Sequence, residues 1–285
     1  MSSKLFPILY ADDSNMFIQG RNLSHMISDA NIELEKIVKW TNTNKLSLNI
    51  DKTFFMIFKS RKKHIHTVDD IKINNKTIEQ IKDIKFLGVI LDENLSWSKH
   101  VIYIKNKISK SIGIINKTRK LLNKDTLTTL YYSFVYPYLN YAIELWGCTT
   151  QYNLNSLHKM QKKIVRMICK VPYHHHTASL FLDLKIFNIH NIYHYHLCVL
   201  MFKIYKGYSP ILLQDMFRLN VNINNTRQMY NYILPLFRLN ICQNSFRYKG
   251  VKMWNYIINH VNTNMSIMTF KKYVKQHLRN NDISI

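Results

Sequence analysis

The sequence predicts an α+β fold: a head of short strands and one amphipathic helix, then a longer and mostly helical body. Three observations lead there. Before residue 97 the apolar residues fall in short runs separated by turn-forming residues such as Ala11-Asp12-Asp13 and Asn74-Asn75. After it they recur every three or four residues, the period of a helix with one buried face. The charge divides at the same place. Residues 1–97 carry 14 basic and 12 acidic side chains, residues 98–285 carry 26 and 5, within a net charge of +23. With 6 Gly and 5 Pro in 285 residues, loops cannot dominate, and 47% hydrophobic residues exclude a disordered chain.

Taken in order, Leu5–Tyr10 and Ser14–Ile18 read as strands about a bend at Ala11-Asp12-Asp13. Ser24 is the expected cap of a helix whose apolar positions are Ile27, Ala30, Leu34, Ile37 and Val38. A strand is expected at Phe54–Phe58, then a hairpin turning at Asn74-Asn75, since Asn tolerates positive φ. Lys85–Leu91 reads as a further apolar strand, and Trp97 as the close of the head. From Val101 to Leu122 one apolar stripe runs through Ile104, Ile108, Ile112 and Ile115, with lysines on the other side. Asp125 or Thr126 opens a second helix, broken by Pro137 and ended by Gly147. A third is expected from about Leu154 to Cys169, and a fourth from Asn188 to Tyr205 with Gly207 as its stop. After Tyr208 aromatic and basic residues interleave, and only a helix near Phe270–Leu278 stands out.

The composition also excludes functions. The longest apolar runs, Phe86–Leu91 and Leu197–Phe202, are six residues, far short of the ~20 a membrane-spanning helix needs. Asp12 and Asp13 interrupt any secretory leader at the start, and four scattered cysteines suit a reducing compartment. An intracellular setting, nuclear or cytoplasmic, is therefore expected. A body so depleted in acids calls for a polyanionic partner, because each Lys or Arg set on a phosphate releases counterions. AT-rich coding explains why 31 of 40 basic residues are Lys. It does not explain the disappearance of acids.

The sharpest chemical signal is Tyr10-Ala11-Asp12-Asp13 at a hairpin tip. Adjacent carboxylates repel unless a cation neutralises them, and hard oxygen ligands suit Mg²⁺. An isolated Asp-Asp pair is more often a solvated turn; what changes the balance is the order of the motifs that follow. With Asn44–Thr53 after a helix carrying Trp40, and Lys85-Phe86-Leu87-Gly88-Val89-Ile90-Leu91-Asp92 further on, the chain resembles the reverse transcriptases of non-LTR (LINE-type) retrotransposons, in their C-terminal half. Pro137–Tyr141 with Trp146-Gly147, Leu157–Arg166, and Gln243–Tyr248 with Trp254-Asn255 continue the resemblance downstream.

The resemblance implies a partial polymerase palm at 1–97, a thumb-like helical domain at 98–172 and a helical nucleic-acid-binding region at 173–285. It implies Asp12 and Asp13 as catalytic metal ligands, with Mg²⁺ as the cofactor of the complete polymerase. It also implies Lys52 as a general acid to pyrophosphate, although a plain surface lysine at a strand entrance is the favoured reading where no bound triphosphate orients it. Phe86, Leu87 and Gly88 become a primer grip, and the partners become RNA and DNA as a template–primer duplex, with no membrane. The expected nucleic-acid-binding face is Lys107, Lys110, Lys117, Lys120 and Lys124 along one helix. Family members place a further metal-binding Asp on a strand upstream of YADD, and no acid in residues 14–97 has an equivalent claim. The chain is thus expected to be inactive alone. A non-catalytic RNA- or DNA-binding remnant is the competing reading. Zinc is not favoured: His190, His194 and Cys198 share a helical face, but no short paired motif accompanies them. Oligomeric state is not legible.

Overall fold

The computed structural model describes residues 5–63, 70–220, 230–261 and 264–280. The fold is α+β, as the sequence predicts, and divides into two compact units, Met1–Leu95 and Ser96–Ile285.

The first unit opens with an antiparallel hairpin, β1 (Leu5–Tyr10) and β2 (Asp13–Ile18), in register from Leu5↔Ile18 to Tyr10↔Asp13. Only Ala11 and Asp12 form its turn, and Ala11 takes a φ of 52°, as the first position of a primed two-residue turn requires. Helix α1 (Leu23–Thr43) starts two residues earlier than expected. Its cap is Asn22, whose side chain accepts from the His25 N–H, so Ser24 lies inside the helix. A 3₁₀ turn (Ile50–Lys52) leads into β3 (Phe54–Phe55), which pairs in parallel with β6 (Glu79–Gln80) and is shorter than the strand predicted to Phe58. Strands β4 (Lys72–Ile73) and β5 (Lys76–Thr77) form the expected hairpin, with Asn74 and Asn75 at φ of 50° and 64°.

The supposed strand Lys85–Leu91 is instead part of a third tight hairpin, β7 (Asp83–Phe86) and β8 (Val89–Asp92). Leu87 and Gly88 turn it, both at positive φ (44° and 83°). The apolar run concealed a turn because its first turn residue is a leucine. The core of this unit is small: Ile27 of α1 meets Ile71, Ile73 and Ile78. The Asn31 amide fixes α1 to β4, donating to the Asp70 carbonyl (3.1 Å) and accepting from the Lys72 N–H (2.9 Å).

The second unit is helical. Trp97 belongs here rather than to the head; at φ 62° it precedes α2 (Ser98–Thr118) and packs on the body's core. Then come α3 (Lys124–Phe134), α4 (Tyr136–Asn140), α5 (Ile143–Trp146) and α6 (Gln151–Ile168). Asn123 caps α3 through the Thr126 N–H, at 2.8 Å. Next are α7 (Ala178–Asp183), α8 (Ile189–Tyr205), α9 (Ile211–Gln214), α10 (Asn240–Gln243), α11 (Phe246–Ile258) and α12 (Ile267–Asn280). Helix α8 is the hub, touching α4, α5, α6, α9, α11 and α12. A helix so surrounded is apolar on several faces, and Ile189, Ile192, Leu197, Cys198, Met201 and Phe202 are all buried. One core cluster runs from Val101 to Leu278, so residues 98–172 and 173–285 both contribute to it.

Buried Gln161 on α6 organises that core. Its amide nitrogen donates to the Tyr131 hydroxyl (2.9 Å) and the Phe187 carbonyl (3.2 Å), and its oxygen accepts from the Ile189 N–H (2.7 Å). One side chain therefore joins α6, α3 and the start of α8, and satisfies an N–H that the first turn of α8 leaves without an intrahelical partner.

Candidate functional site

Asp12 sits in the β1–β2 turn and Asp13 opens β2, both exposed. The two-residue turn is too short to fold either side chain back into the hairpin. Among the described residues neither carboxylate has a side-chain hydrogen bond or ion pair. That leaves two oxygen ligand groups free at one tip, a donor set that fits a hard divalent cation such as Mg²⁺. Among the described residues no cluster of three metal-ligating side chains forms, so the pair is at most part of a coordination sphere.

Lys52 ends the 3₁₀ turn ahead of β3 and is exposed. Its neighbour Asp51 pairs with Lys76 of β5, which holds the Asp51 carboxyl below its ordinary range through a hydrogen bond and charge attraction. The described hydrogen bonds and ion pairs do not join Lys52 to Asp12 or Asp13. The primer-grip residues form the β7–β8 turn: Phe86 is half-buried, while Leu87 and Gly88 project.

The five lysines do not share one helix. Lys107, Lys110 and Lys117 lie on α2, Lys120 lies in the turn after it, and Lys124 is the first residue of α3. The helix stops early because Leu121 and Leu122 both bond back to the Thr118 carbonyl and Asn123 turns extended to cap α3. Lys110, Lys117, Lys120 and Lys124 are exposed; Lys107 is half-buried, its ammonium 5.5 Å from the Tyr103 ring centre. The lysines of α2 span about 15 Å rather than the longer row a continuous helix would give.

The downstream motifs prove to be folding devices. Trp146 is fully buried and donates to the Tyr141 carbonyl at 2.8 Å. Gly147 must be glycine, since a Cβ there would stand 2.3 Å from the Tyr193 ring and 2.6 Å from the Ile143 carbonyl. Trp254 donates to the Tyr230 carbonyl (2.9 Å), and the Asn255 amide bonds both the N–H and the carbonyl of Tyr232. These residues pin segment 230–232 to α11.

Sequence reading missed a cleft of about 370 Å³ in the second unit, between α4, α5, α8 and α12. Glu144 and His196 meet there, Oε1 to Nδ1 at 2.9 Å, beside Lys203, Lys271 and Lys275. Tyr136, Asn140 and Glu144 follow a four-residue spacing that could have flagged it. The break between α4 and α5 hides that spacing from a search for one continuous helix.

Comparison with known proteins defines the class: the chain is related to RNA-directed DNA polymerases of mobile elements. It is 26% identical over 180 residues to the RNA-directed DNA polymerase from mobile element jockey of Drosophila funebris, covering 62% of this chain and 19% of that protein. The jockey polymerase of Drosophila melanogaster gives 24% over 181 residues, covering 62% and 19%. A probable RNA-directed DNA polymerase from the transposon BS of the same species gives 25% over 189 residues, covering 64% and 20%. The resemblance to LINE-type reverse transcriptases, drawn from the motifs, is thereby borne out. The matched region spans about a fifth of the length of these relatives. No family model matches the chain, and no solved structure does.

Proposed function

We propose that this chain is part of an RNA-directed DNA polymerase of a non-LTR mobile element. In this reading the head presents two of the catalytic carboxylates and the body holds the RNA–DNA duplex. The carrying observation is the pair Asp12 and Asp13, without a side-chain partner among the described residues at the tip of a tight hairpin, in a chain whose curated relatives are such polymerases. In the complete polymerase Asp12 and Asp13 would hold Mg²⁺, which supplies charge neutralisation at the triphosphate and the 3′ hydroxyl. Lys52, exposed at the end of its 3₁₀ turn, fits a proton donor to pyrophosphate only in that larger assembly. The β7–β8 turn, with Leu87 projecting, fits a backbone and apolar rest for a primer end.

A second reading, a non-catalytic nucleic-acid-binding module, is favoured by the absence of a third ligating side chain beside Asp12 and Asp13 among the described residues. Template-directed incorporation of deoxynucleotides separates the two. The 285-residue chain alone is expected to incorporate none. A longer parent polypeptide carrying the same head is expected to incorporate, and to lose at least a thousandfold with Asp12→Asn. Wild-type incorporation by the Asp12→Asn parent would sink the polymerase assignment, and incorporation by the 285-residue chain would show that its carboxylate set is already sufficient.

A further inference from the structure

The cleft between α4, α5, α8 and α12 gathers side chains that the polymerase reading does not use. At about 370 Å³ it lies at the small end of ligand-binding pockets, room for one nucleotide unit and not for a duplex. Its chemistry has three parts. Lys203, Lys271 and Lys275 bring three ammonium groups to its rim, the last two one turn apart on α12. Phe187 and Tyr195 form a bent aromatic wall, ring centres 6.1 Å apart and planes tilted by 44°, with the Lys275 ammonium 5.5 Å from the Tyr195 ring and the Arg279 guanidinium 5.7 Å from that of Phe187. On the α5 side stands the Glu144 carboxylate, oriented by His196.

Each part excludes a simpler occupant. Free phosphate would satisfy the lysines but leave the aromatic wall unused and approach a carboxylate. An apolar ligand would leave Lys271 and Lys275 without an ion-pair partner among the described residues. Burial alone would raise the Glu144 carboxyl, but the hydrogen bond from His196, its own backbone N–H and the charges of His196 and Lys203 bring it below its ordinary value. It is therefore an acceptor at neutral pH, already bonded to His196 through Oε1, with further lone pairs that can take an N–H or O–H of a ligand. Tyr136, pushed up to about 12 mainly by burial, keeps its phenol proton and can donate to an anion.

We infer that this cleft binds a single nucleotide through its phosphate, its base face and an exocyclic amine. The phosphate lies on Lys271 and Lys275 with Lys203 nearby, the base rests against one ring of the bent wall, and Glu144 accepts from the amine. A carboxylate in that place selects cytosine, whose N4 amine donates, over uracil, whose O4 only accepts. Stacking and cationic contact together are the usual means of holding one unit of a single strand. The inference rests on the nucleic-acid reading of the body but uses a different surface from the α2 lysines.

Equilibrium dialysis of the full chain against cytidine 5′-monophosphate (CMP), UMP, cytidine and inorganic phosphate tests it. CMP is expected to bind at least fivefold tighter than UMP, and at least tenfold tighter than cytidine or inorganic phosphate. Lys271→Gln with Lys275→Gln should weaken CMP at least tenfold with an unchanged melting curve, and Glu144→Gln should equalise CMP and UMP. A single-stranded tetranucleotide binding much tighter than CMP assigns the pocket to strands, and equal binding assigns it to free nucleotides; both support a nucleotide pocket. Inorganic phosphate binding as well as CMP, or CMP binding untouched by the lysine pair, overturns it. An RNA–DNA duplex run alongside separates the two readings. Duplex binding without CMP binding removes the pocket alone, and failure of both removes the nucleic-acid reading as well.

Discussion

At the scale of single residues, the body depends on polar side chains that close hydrogen bonds inside the core. Gln161 is the clearest test. Gln161→Leu keeps the volume but strands the Ile189 N–H, the Phe187 carbonyl and the Tyr131 hydroxyl, each costing about 1–3 kcal/mol when buried and unpaired. A loss of about 3 kcal/mol and a drop in Tm of roughly 6–12 °C are expected by calorimetry. A shift within 1 °C would show that water replaces the amide. None of this was legible in the sequence, where Gln161 sits among Lys159, Lys162 and Lys163 and looks like part of a solvated face. Asn22 was missed for a related reason. Two capping residue types stand two apart, and only the backbone decides that Asn22, at φ −109° and ψ 124°, is the one outside the helix. The Asp12-Asp13 tip was legible because carboxylates at a tight turn have few other places to go.

At the scale of elements, turns announced by their residue type were read correctly and the others were not. Asn74-Asn75 signalled positive φ; Leu87, Trp97 and Ala142 adopt it without any such signal. Helix α11 was missed because Gly250 and the interleaved basic residues blur its period. The structure explains the glycine: a Cβ there would stand 3.0 Å from the Met201 sulfur of α8, so the two helices pack at the closest distance that position allows. The α2–α3 connection bears on binding, since it leaves Lys110, Lys117 and Lys120 exposed within one turn-ended stretch. Replacing all three by Gln should leave the fold intact. If each meets a phosphate, the slope of log K against log salt for an RNA–DNA duplex becomes shallower by about 2–3. An unchanged slope in fluorescence anisotropy titrations would mean these lysines only face water.

At the scale of the whole molecule, the body carries five histidines whose charged form burial disfavours. His100, His158 and His194 are each brought down to about 4, and His190 and His277 are lowered, by desolvation first in every case. In the unfolded chain these imidazoles protonate near their ordinary value of about 6.5. The unfolded state therefore binds more protons between pH 6.5 and 4, and stability is full above that window and falls as pH drops through it. The lowered carboxyl of Glu144 acts in the same direction further down. Urea midpoints should decline steadily from pH 7 to 4.5, and a flat profile would place these rings in contact with water. Among its described residues the head has no comparable reserve, because its core cluster rests on four buried isoleucines.

The hairpin that carries Asp12 and Asp13 has a consequence of a different kind. Among the described residues its sheet has only two strands, and Phe6 and Phe17 are exposed on one face and Leu9 on the other. Two open edges and two greasy faces make a template on which another extended segment can grow the sheet. Pro7 spoils one rung of the β1 edge, and nothing comparable protects β2. Any preparation of this chain by itself is therefore a preparation of a sticky ribbon, and its shelf life will be set by how fast two such ribbons find each other.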